Sequence, residues 1–270
     1  MVLIECSVIS VNGLDRILYV THTSSVLDDA RKLLSSGNFD ANLHGTTIHA
    51  GHQSGGRGRQ GRVWKDTPGT SALAVYLCDD DKIPSPDASL KRDLLSLLFA
   101  AAIVRALRRL QIHAAVKYPN DVIVLNRKIS GILTESVQLG QRRFSLIGFG
   151  INVRQTLEQL PVDARTPPTS VFLETGRMES ITALIGAVVA EAERLLALSF
   201  AELMGEIAEV DGTQGKQVSV ERVNHREILY GIATCVDANG KLILDTRTGS
   251  MALTSGEIHS LTIDENETFR

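Results

Sequence analysis

Several things are scarce in this chain. Aromatic side chains make up 4% of its 270 residues, with a single tryptophan, which argues against a surface built on many base-stacking rings. Cysteine occurs three times, at Cys6, Cys78 and Cys235, with no C-x-x-C pair. Neither a disulfide framework nor a cysteine zinc site is expected from that pattern. The longest apolar stretch, Leu94 to Leu107, is interrupted by Arg105 and falls short of the ~20 residues a membrane span needs. Met1 to Ser10 lacks the basic region and the apolar length of a signal peptide. The expectation is a cytoplasmic protein with no membrane partner.

Acid is missing from one place. Between Asp40 and Asp66 lie 25 residues with no carboxylate, and among them are Arg57, Arg59, Arg62, Lys65 and three of the seven histidines. The whole chain has a formal charge of −3, and without those four cations the remainder stands at −7. An acidic chain with one basic segment is suited to a compact anion there, rather than a long polyanion along a whole face. Hydrophobic residues at 43% and charged residues at 22% are ordinary globular values, enough for a sizeable core. The length suits one large domain, or a large one with a small one.

Periodicity predicts a strand at Ile17–Val20 and a helix from Val26 to Leu34. Ser25 stands three residues before Asp28 as in a capping box, and Gly37 stops the helix. Strands are predicted at 46–50 and 71–78, on either side of a loop, Gly51 to Arg62, with five glycines in twelve residues. After a break at Pro84–Asp87, the strongest helical pattern runs from Leu90 to Leu110. Strands follow at 122–125, 129–137 and 144–153, with turns at Asn126-Arg127 and near Gly140, then helices at 180–198 and on to Val210. From Gly212 the texture changes to five short strands with turns at Asn239-Gly240 and Thr248-Gly249, which suggests a small barrel. The expected boundary lies near Asp211, dividing 1–211 from 212–270.

Three segments carry chemistry. In Gly55-Gly56-Arg57-Gly58-Arg59-Gln60-Gly61-Arg62 the glycines let backbone approach a ligand, while guanidinium groups fork onto phosphate or carboxylate oxygens. The run fits G-x-G-x-x-G, but Pro68-Gly69 and a strand follow it where a dinucleotide fold needs a helix. A flexible basic loop without a ligand is the plainer reading. In Lys117-Tyr118-Pro119-Asn120-Asp121, followed by Lys128, the acid and the second lysine sit seven residues apart on two arms of a hairpin, able to converge. A solvated turn lysine and a turn aspartate are the alternatives. In Gly148-Phe149-Gly150-Ile151-Asn152 the glycines mark either close approach of a ligand or a bulge.

Taken in order, Gly56–Arg62, Lys117–Asp121, Lys128-x-x-Gly131-Ile-Leu-Thr-Glu135 and Gly148-x-Gly-Ile-Asn152 resemble the biotin–protein ligase family, the biotin–[acetyl-CoA-carboxylase] ligases. Gln53 matches the glutamine on the biotin ureido head, and Thr169-Ser170 with Glu174-Thr175-Gly176 resembles a further family segment. Tyr118 stands where the family usually has Trp, and Thr23-Ser24-Ser25 matches the early biotin loop loosely. The resemblance implies an α+β fold, class II synthetase-like, with a central mixed or antiparallel sheet flanked by helices and an SH3-like barrel at the C-terminal end. It also implies ATP-dependent biotinylation of a lysine on a biotin carboxyl carrier domain through biotinyl-5′-AMP, with Mg²⁺. The segment before Thr23 is too short for the helix-turn-helix of the regulatory members, so the ligase-only type is expected, with no nucleic-acid partner.

Residue by residue, the resemblance gives Lys128, Arg57 and Asp121 catalytic roles. It places biotin on Thr23, Ser24, Ser25, Gln53, Gly55, Arg57, Gly58, Arg59, Lys128 and Gly131. ATP and the adenylate fall to Arg57, Arg59, Arg62, Trp64, Asn120 and Asn152, and Mg²⁺ to Asp121 through the phosphates. A homodimer is a further expectation. The rivals are a lipoate or octanoate ligase of the same fold, a nucleic-acid-binding protein using the basic loop, and a plain interaction protein. His44, His49 and His52 imitate a metal site but lack a third carboxylate or cysteine ligand.

Overall fold

The computed structural model describes residues 7–11, 14–36, 43–83, 91–161, 164–223, 228–237, 239–254 and 258–263. The expected helix stop at Gly37, the break at Pro84–Asp87 and the residue Cys6 lie outside them. In the described residues β1 (Ser7–Val11) and β2 (Leu14–Val20) form a hairpin, followed by α1 (Val26–Ser35), β3 (Thr47–Ala50) and β4 (Ser71–Asp79). Helix α2 (Lys91–Arg109) leads into β5 (Ala115–Lys117), β6 (Asp121–Val124), β7 (Arg127–Leu139) and β8 (Arg142–Asn152). These eight strands make one sheet in the order β1-β2-β3-β4-β8-β7-β6-β5. Only β2 and β3 run parallel, and α1 lies in the crossover that a parallel pair requires.

Strand β4 is buried at every position, and its side-chain alternation explains why. Ala72, Ala74, Tyr76 and Cys78 face one core with α2 and α4 (Ile181–Leu196), while Leu73, Val75 and Leu77 face a second core with Leu27, Ala30 and Leu34 of α1. The sheet is therefore covered on both faces. Helix α2 packs against β7 on one side and α4 on the other. Its long apolar run is that of a helix buried all round, and no helix among the described residues is long and apolar enough to cross a membrane.

Helices α3 (Val171–Thr175) and α5 (Phe200–Ala208) complete the first part. Strands β9 (Lys216–Arg222), β10 (Ile228–Val236), β11 (Leu242–Thr246), β12 (Gly249–Leu253) and β13 (Ile258–Ile263) form a second, antiparallel sheet ordered β12-β11-β10-β9-β13. Val218, Val220, Leu244 and Leu261 of this sheet continue the core of α2 and α4 without a break.

Three local expectations are corrected. Ser25 is the N-cap of α1, but its side chain makes no capping bond; its carbonyl accepts from Asp28 and Asp29 N–H. Asp28 is drawn to Arg31 and Arg57 instead, where it finds full positive charge. The β6–β7 turn is Leu125-Asn126, both with positive φ, one residue earlier than expected. Strands β1 and β5 and helix α3 were not expected, being too short to show a period.

Tyr118 ties the two sheets together. Its N–H donates to Thr213 Oγ1 at 3.0 Å and its hydroxyl to the Gly240 carbonyl at 2.9 Å. Burial pushes its phenol well above the ordinary tyrosine range. Tyr118→Phe leaves that buried carbonyl without its donor, so stability should fall by about 1–2 kcal/mol. A urea midpoint equal to that of the unsubstituted chain would show that the bond contributes nothing.

Candidate functional site

The two glycines that the sequence leaves open as ligand approach or bulge sit on one face of the sheet. Gly131 on β7 is directly opposite Gly150 on β8, and Leu133 is opposite Gly148. Together they leave a floor without side chains where every neighbouring position carries one. Above it lies a cavity of about 530 Å³. The Trp64 ring rests on this floor: a Cβ at Gly150 would stand 2.6 Å from Trp64 Cε2, and one at Gly131 3.2 Å from Trp64 Cζ3. Trp64 Nε1 is buried with no hydrogen-bond partner among the described residues.

One wall is the glycine loop, folded as a narrow hairpin. Gly58 N–H donates to the Arg62 carbonyl at 2.7 Å and Trp64 N–H to the Gly56 carbonyl at 2.9 Å, with Gln60 and Gly61 at positive φ at the tip. Arg59 crosses from this tip, donating to Asn120 Oδ1 at 3.0 Å and to the Ile258 carbonyl of β13 at 3.1 Å. Arg57 instead turns to Asp28 Oδ1 of α1 at 2.8 Å.

The opposite wall is the β6–β7 hairpin. Lys128 Nζ lies 2.6 Å from Asp121 Oδ1 and 5.9 Å from the centre of the Trp64 ring. The lysine is held from behind, because Lys128 N–H donates to the Pro167 carbonyl at 2.7 Å and Thr169 N–H to the Lys128 carbonyl at 2.9 Å. Asn120 is fixed by donating from Nδ2 to the Ile132 carbonyl at 2.7 Å, and Asn152 by donating to the Thr169 carbonyl at 2.9 Å.

Among the described residues that line the cavity, seven are cationic and one, Asp121, is acidic. Arg57, Arg59, Arg62 and Lys65 come from the acid-free stretch; Lys117, Lys128 and Arg165 come from elsewhere. Burial pulls the Arg59 guanidinium and the Lys117 ammonium below their usual ranges, against the opposing pull of Asp121. Lys128, Arg165 and Arg62 press the Lys117 ammonium further down.

Most of the expected site residues converge here. Ser25, Gln53, Gly58, Arg62, Gly131 and Asn152 line the cavity beside Arg57, Arg59, Trp64, Asn120, Asp121 and Lys128. Thr23, Ser24 and Gly55 are not among the lining residues; Thr23 is buried beside Gln53, and Ser24 and Gly55 are exposed. Ser54 N–H donates to the Thr23 carbonyl at 3.0 Å and Gly55 N–H to the Ser24 carbonyl at 2.7 Å, which pins Gln53 alongside. The histidines separate, His49 to the Leu73 carbonyl, His52 to Asp66 and His44 to Glu193. Lys117 was visible in its motif without a role. Arg165, Thr166, Ile258 and Leu261, which also line the cavity, belong to no local motif; only the folded chain brings them there.

Two family models match this chain in sequence order. Residues 23–152 match the Biotin/lipoate A/B protein ligase family and 213–259 the Biotin protein ligase C terminal domain. A biotin/lipoate protein ligase domain is thus followed, in the same order as the two sheets, by a biotin protein ligase C-terminal domain. It is similar to a biotin–[acetyl-CoA-carboxylase] ligase of Mycobacterium tuberculosis, 27% identical over 244 residues covering 88% of this chain and 86% of the relative. It is also 28% identical over 220 residues to a bifunctional ligase/repressor of Bacillus spizizenii, covering 79% of this chain and 66% of that relative's length. A biotin protein ligase of Aquifex aeolicus, solved in complex with biotin and ATP, shares the fold with a TM-score of 0.75 at 23% identity, covering 92% and 99% of the two chains.

Trp64 is the only tryptophan, so intrinsic fluorescence reports this floor directly. Gly150→Ala should lift the ring toward solvent and shift its emission to longer wavelength by several nanometres, with the fold retained. An unchanged spectrum would mean the indole does not depend on the bare floor.

Proposed function

We propose that the chain joins biotin to ATP, forming biotinyl-5′-AMP and pyrophosphate, and then passes the biotinyl group to a lysine of a biotin carboxyl carrier domain. The observation that carries this reading is the seven-to-one excess of cations, among the described residues, around a cavity with an apolar, side-chain-free floor. A ligand that is apolar at one end and anionic at the other fits such a cavity. In the first step a biotin carboxylate oxygen bonds to the α-phosphorus, and the bond to the bridging oxygen of the β-phosphate breaks. Two anions must meet, and fixed cations offset their repulsion in a poorly solvated site. In the second step the carrier amine bonds to the acyl carbon, AMP leaves, and the amine gives up a proton.

Placement around the cavity supports a role for each residue. Ser25 and Gln53, with the Trp64 ring over Gly131 and Gly150, would hold the biotin rings. Lys128 would sit at the junction of acyl and phosphate groups in both steps, its ammonium aimed by the backbone bonds to Pro167 and Thr169. Arg57, Arg59 and Arg62 would clamp the adenylate, with Asn120 and Asn152 orienting it. Asp121 is the one carboxylate among the described lining residues. That donor set fits a Mg²⁺ held mainly by phosphate oxygens, with Asp121 as its protein ligand; bound there, the ion would neutralise phosphate charge. The glycine hairpin would exclude water from the mixed anhydride. We further propose 1–211 as the catalytic unit and 212–270 as the small one.

Incubating the protein with biotin, MgATP and a biotin carrier domain should give a carrier heavier by one biotinyl group. Pyrophosphate exchange into ATP that depends on lipoate rather than biotin would instead identify the lipoate branch of the family. Lys128→Ala should lower adenylate formation by about 10²-fold or more while leaving the unfolding midpoint in place; wild-type rates would refute its role. Arg59→Ala removes the tie between hairpin tip, Asn120 and β13, and biotinyl-AMP should then escape before transfer. An intermediate with unchanged lifetime on the enzyme would sink the idea of a lid.

A further inference from the structure

Asp66 is a buried carboxylate that the proposed chemistry does not use. Its side chain is 1% exposed, and His52 Nδ1 lies 3.0 Å from its Oδ2. The His22 ring stands against the His52 ring, with centres 4.9 Å apart and planes tilted by 52°. A carboxylate taken out of water is costly unless it is paired and hydrogen-bonded, so this cluster is a built one. Neither His52 nor Asp66 is among the residues lining the cavity, yet each stands next to one that is, Gln53 and Lys65, and Trp64 follows directly on Lys65 toward the hairpin tip.

The pair closes the neck of the glycine hairpin. Nearer the tip the two strands are held by backbone, Gly58 N–H to the Arg62 carbonyl and Trp64 N–H to the Gly56 carbonyl. Below Gly56 the outgoing strand turns to a different neighbour. Gly55 and Ser54 donate to the Ser24 and Thr23 carbonyls, and Thr23 N–H donates to the His52 carbonyl at 3.1 Å. The return strand is rejoined at this level by side chains, Asp66 to His52, and by backbone further down, where Gly69 N–H donates to the Gly51 carbonyl at 2.9 Å. The outgoing strand carries Gln53 and the return strand carries Trp64. The spacing of those two side chains, and with it the width of the apolar end of the cavity, is set across this neck.

We propose that His52 and Asp66 are a positioning pair that holds Gln53 and Trp64 at the spacing the biotin rings need, without touching the ligand. This rests on the adenylate chemistry proposed above. An ionised carboxylate can only accept, so Nδ1 of His52 carries the proton and donates it. A charge-assisted bond of this kind is stronger than a neutral one, and the His22 ring packed on the imidazole limits its rotation. The cost of ordering the neck is thereby met in folding, and binding is spared it. The guanidinium groups of Arg59 and Arg62 lie beyond the Gly56–Trp64 and Gly58–Arg62 backbone bonds, so the pair governs the apolar end of the cavity and leaves the nucleotide end alone.

Steady-state kinetics of adenylate formation by the full chain test the claim. His52→Ala and Asp66→Ala should each raise the KM for biotin about tenfold, the loss of one charge-assisted hydrogen bond. The KM for ATP and the kcat at saturating biotin should not change. The double variant should be no worse than the worse single one, because the bond is already gone. His52→Asn, whose side-chain N–H stands near the place of Nδ1–H, should recover part of the lost affinity. If His52→Ala, which leaves a buried carboxylate alone, does not fold, Asp66→Ala and His52→Asn carry the same test. An unchanged biotin KM, equal losses for biotin and ATP, or losses that multiply in the double variant would overturn the proposal. A wild-type chain that forms no adenylate from biotin and MgATP would overturn the functional reading instead. The pair is then judged in the ligand-free chain, where both alanine variants should raise acrylamide quenching of Trp64, and quenching equal to wild type would overturn it.

Discussion

Asp121 and Lys128, 2.6 Å apart across the β6–β7 hairpin, hold together a cavity whose other charges repel one another. Among the described residues seven cations and a single carboxylate line it, in a chain whose total charge is −3. Charges of one sign in a partly buried space interact more strongly than in water, so each needs a partner until a ligand arrives. The structure supplies substitutes: Asp28 for Arg57, Asn120 and a backbone carbonyl for Arg59, and a hydroxyl for Lys117. All but the first are neutral acceptors. An incoming polyanion offers full charge in their place, and the exchange favours binding without any rearrangement of the sheet.

The apolar end of the cavity follows from strand alternation. On β8, Ile147, Phe149 and Ile151 face the core of α2, while Phe144, Leu146, Gly148 and Gly150 share the opposite face. Side chains at 144 and 146 close the second core against α1; the two glycines beyond them end it. The cavity is the place where that core stops being filled from the sheet, and Trp64 from the glycine hairpin covers part of the gap. The hairpin thus contributes both the ring at the apolar end and the guanidinium groups at the charged end, and any motion of it would change both together.

Local sequence pattern made much of this legible. The acid-free stretch, read as one compact-anion site, supplies four of the seven cations. The convergence of Asp121 and Lys128 was readable because a tight turn between two strands fixes its own register. The long apolar run of α2 was legible as a helix, though its burial on both sides depends on α4, far along the chain. Other features had no local signature. β5 is three residues long, below any period. Capping by Ser25 failed because Asp28 is drawn to arginines, and one of these, Arg57, is 29 residues away. Arg165 and Thr166 enter the cavity on a segment fixed by the backbone bonds between Lys128 and Pro167. Such contacts exist only between elements distant in sequence.

The second sheet is where those distant contacts concentrate. The Ile258 carbonyl on β13 accepts from Arg59 and Gln60 of the hairpin tip, Glu221 on β9 meets Arg165, and the Gly240 carbonyl accepts from Tyr118 beside the hairpin of Lys128. Ile258 and Leu261 line the cavity themselves. The small sheet therefore does more than append a domain to a finished site. It supplies acceptors to three separate cavity segments, the hairpin tip, the 165–166 segment and the Tyr118 turn. The first sheet alone would have the floor, Lys128 and Asp121 in place, yet Arg59 and Arg165 would lack the Ile258 carbonyl and the Glu221 carboxylate that hold them apart. The charge arrangement on which ligand binding depends is a property of both sheets.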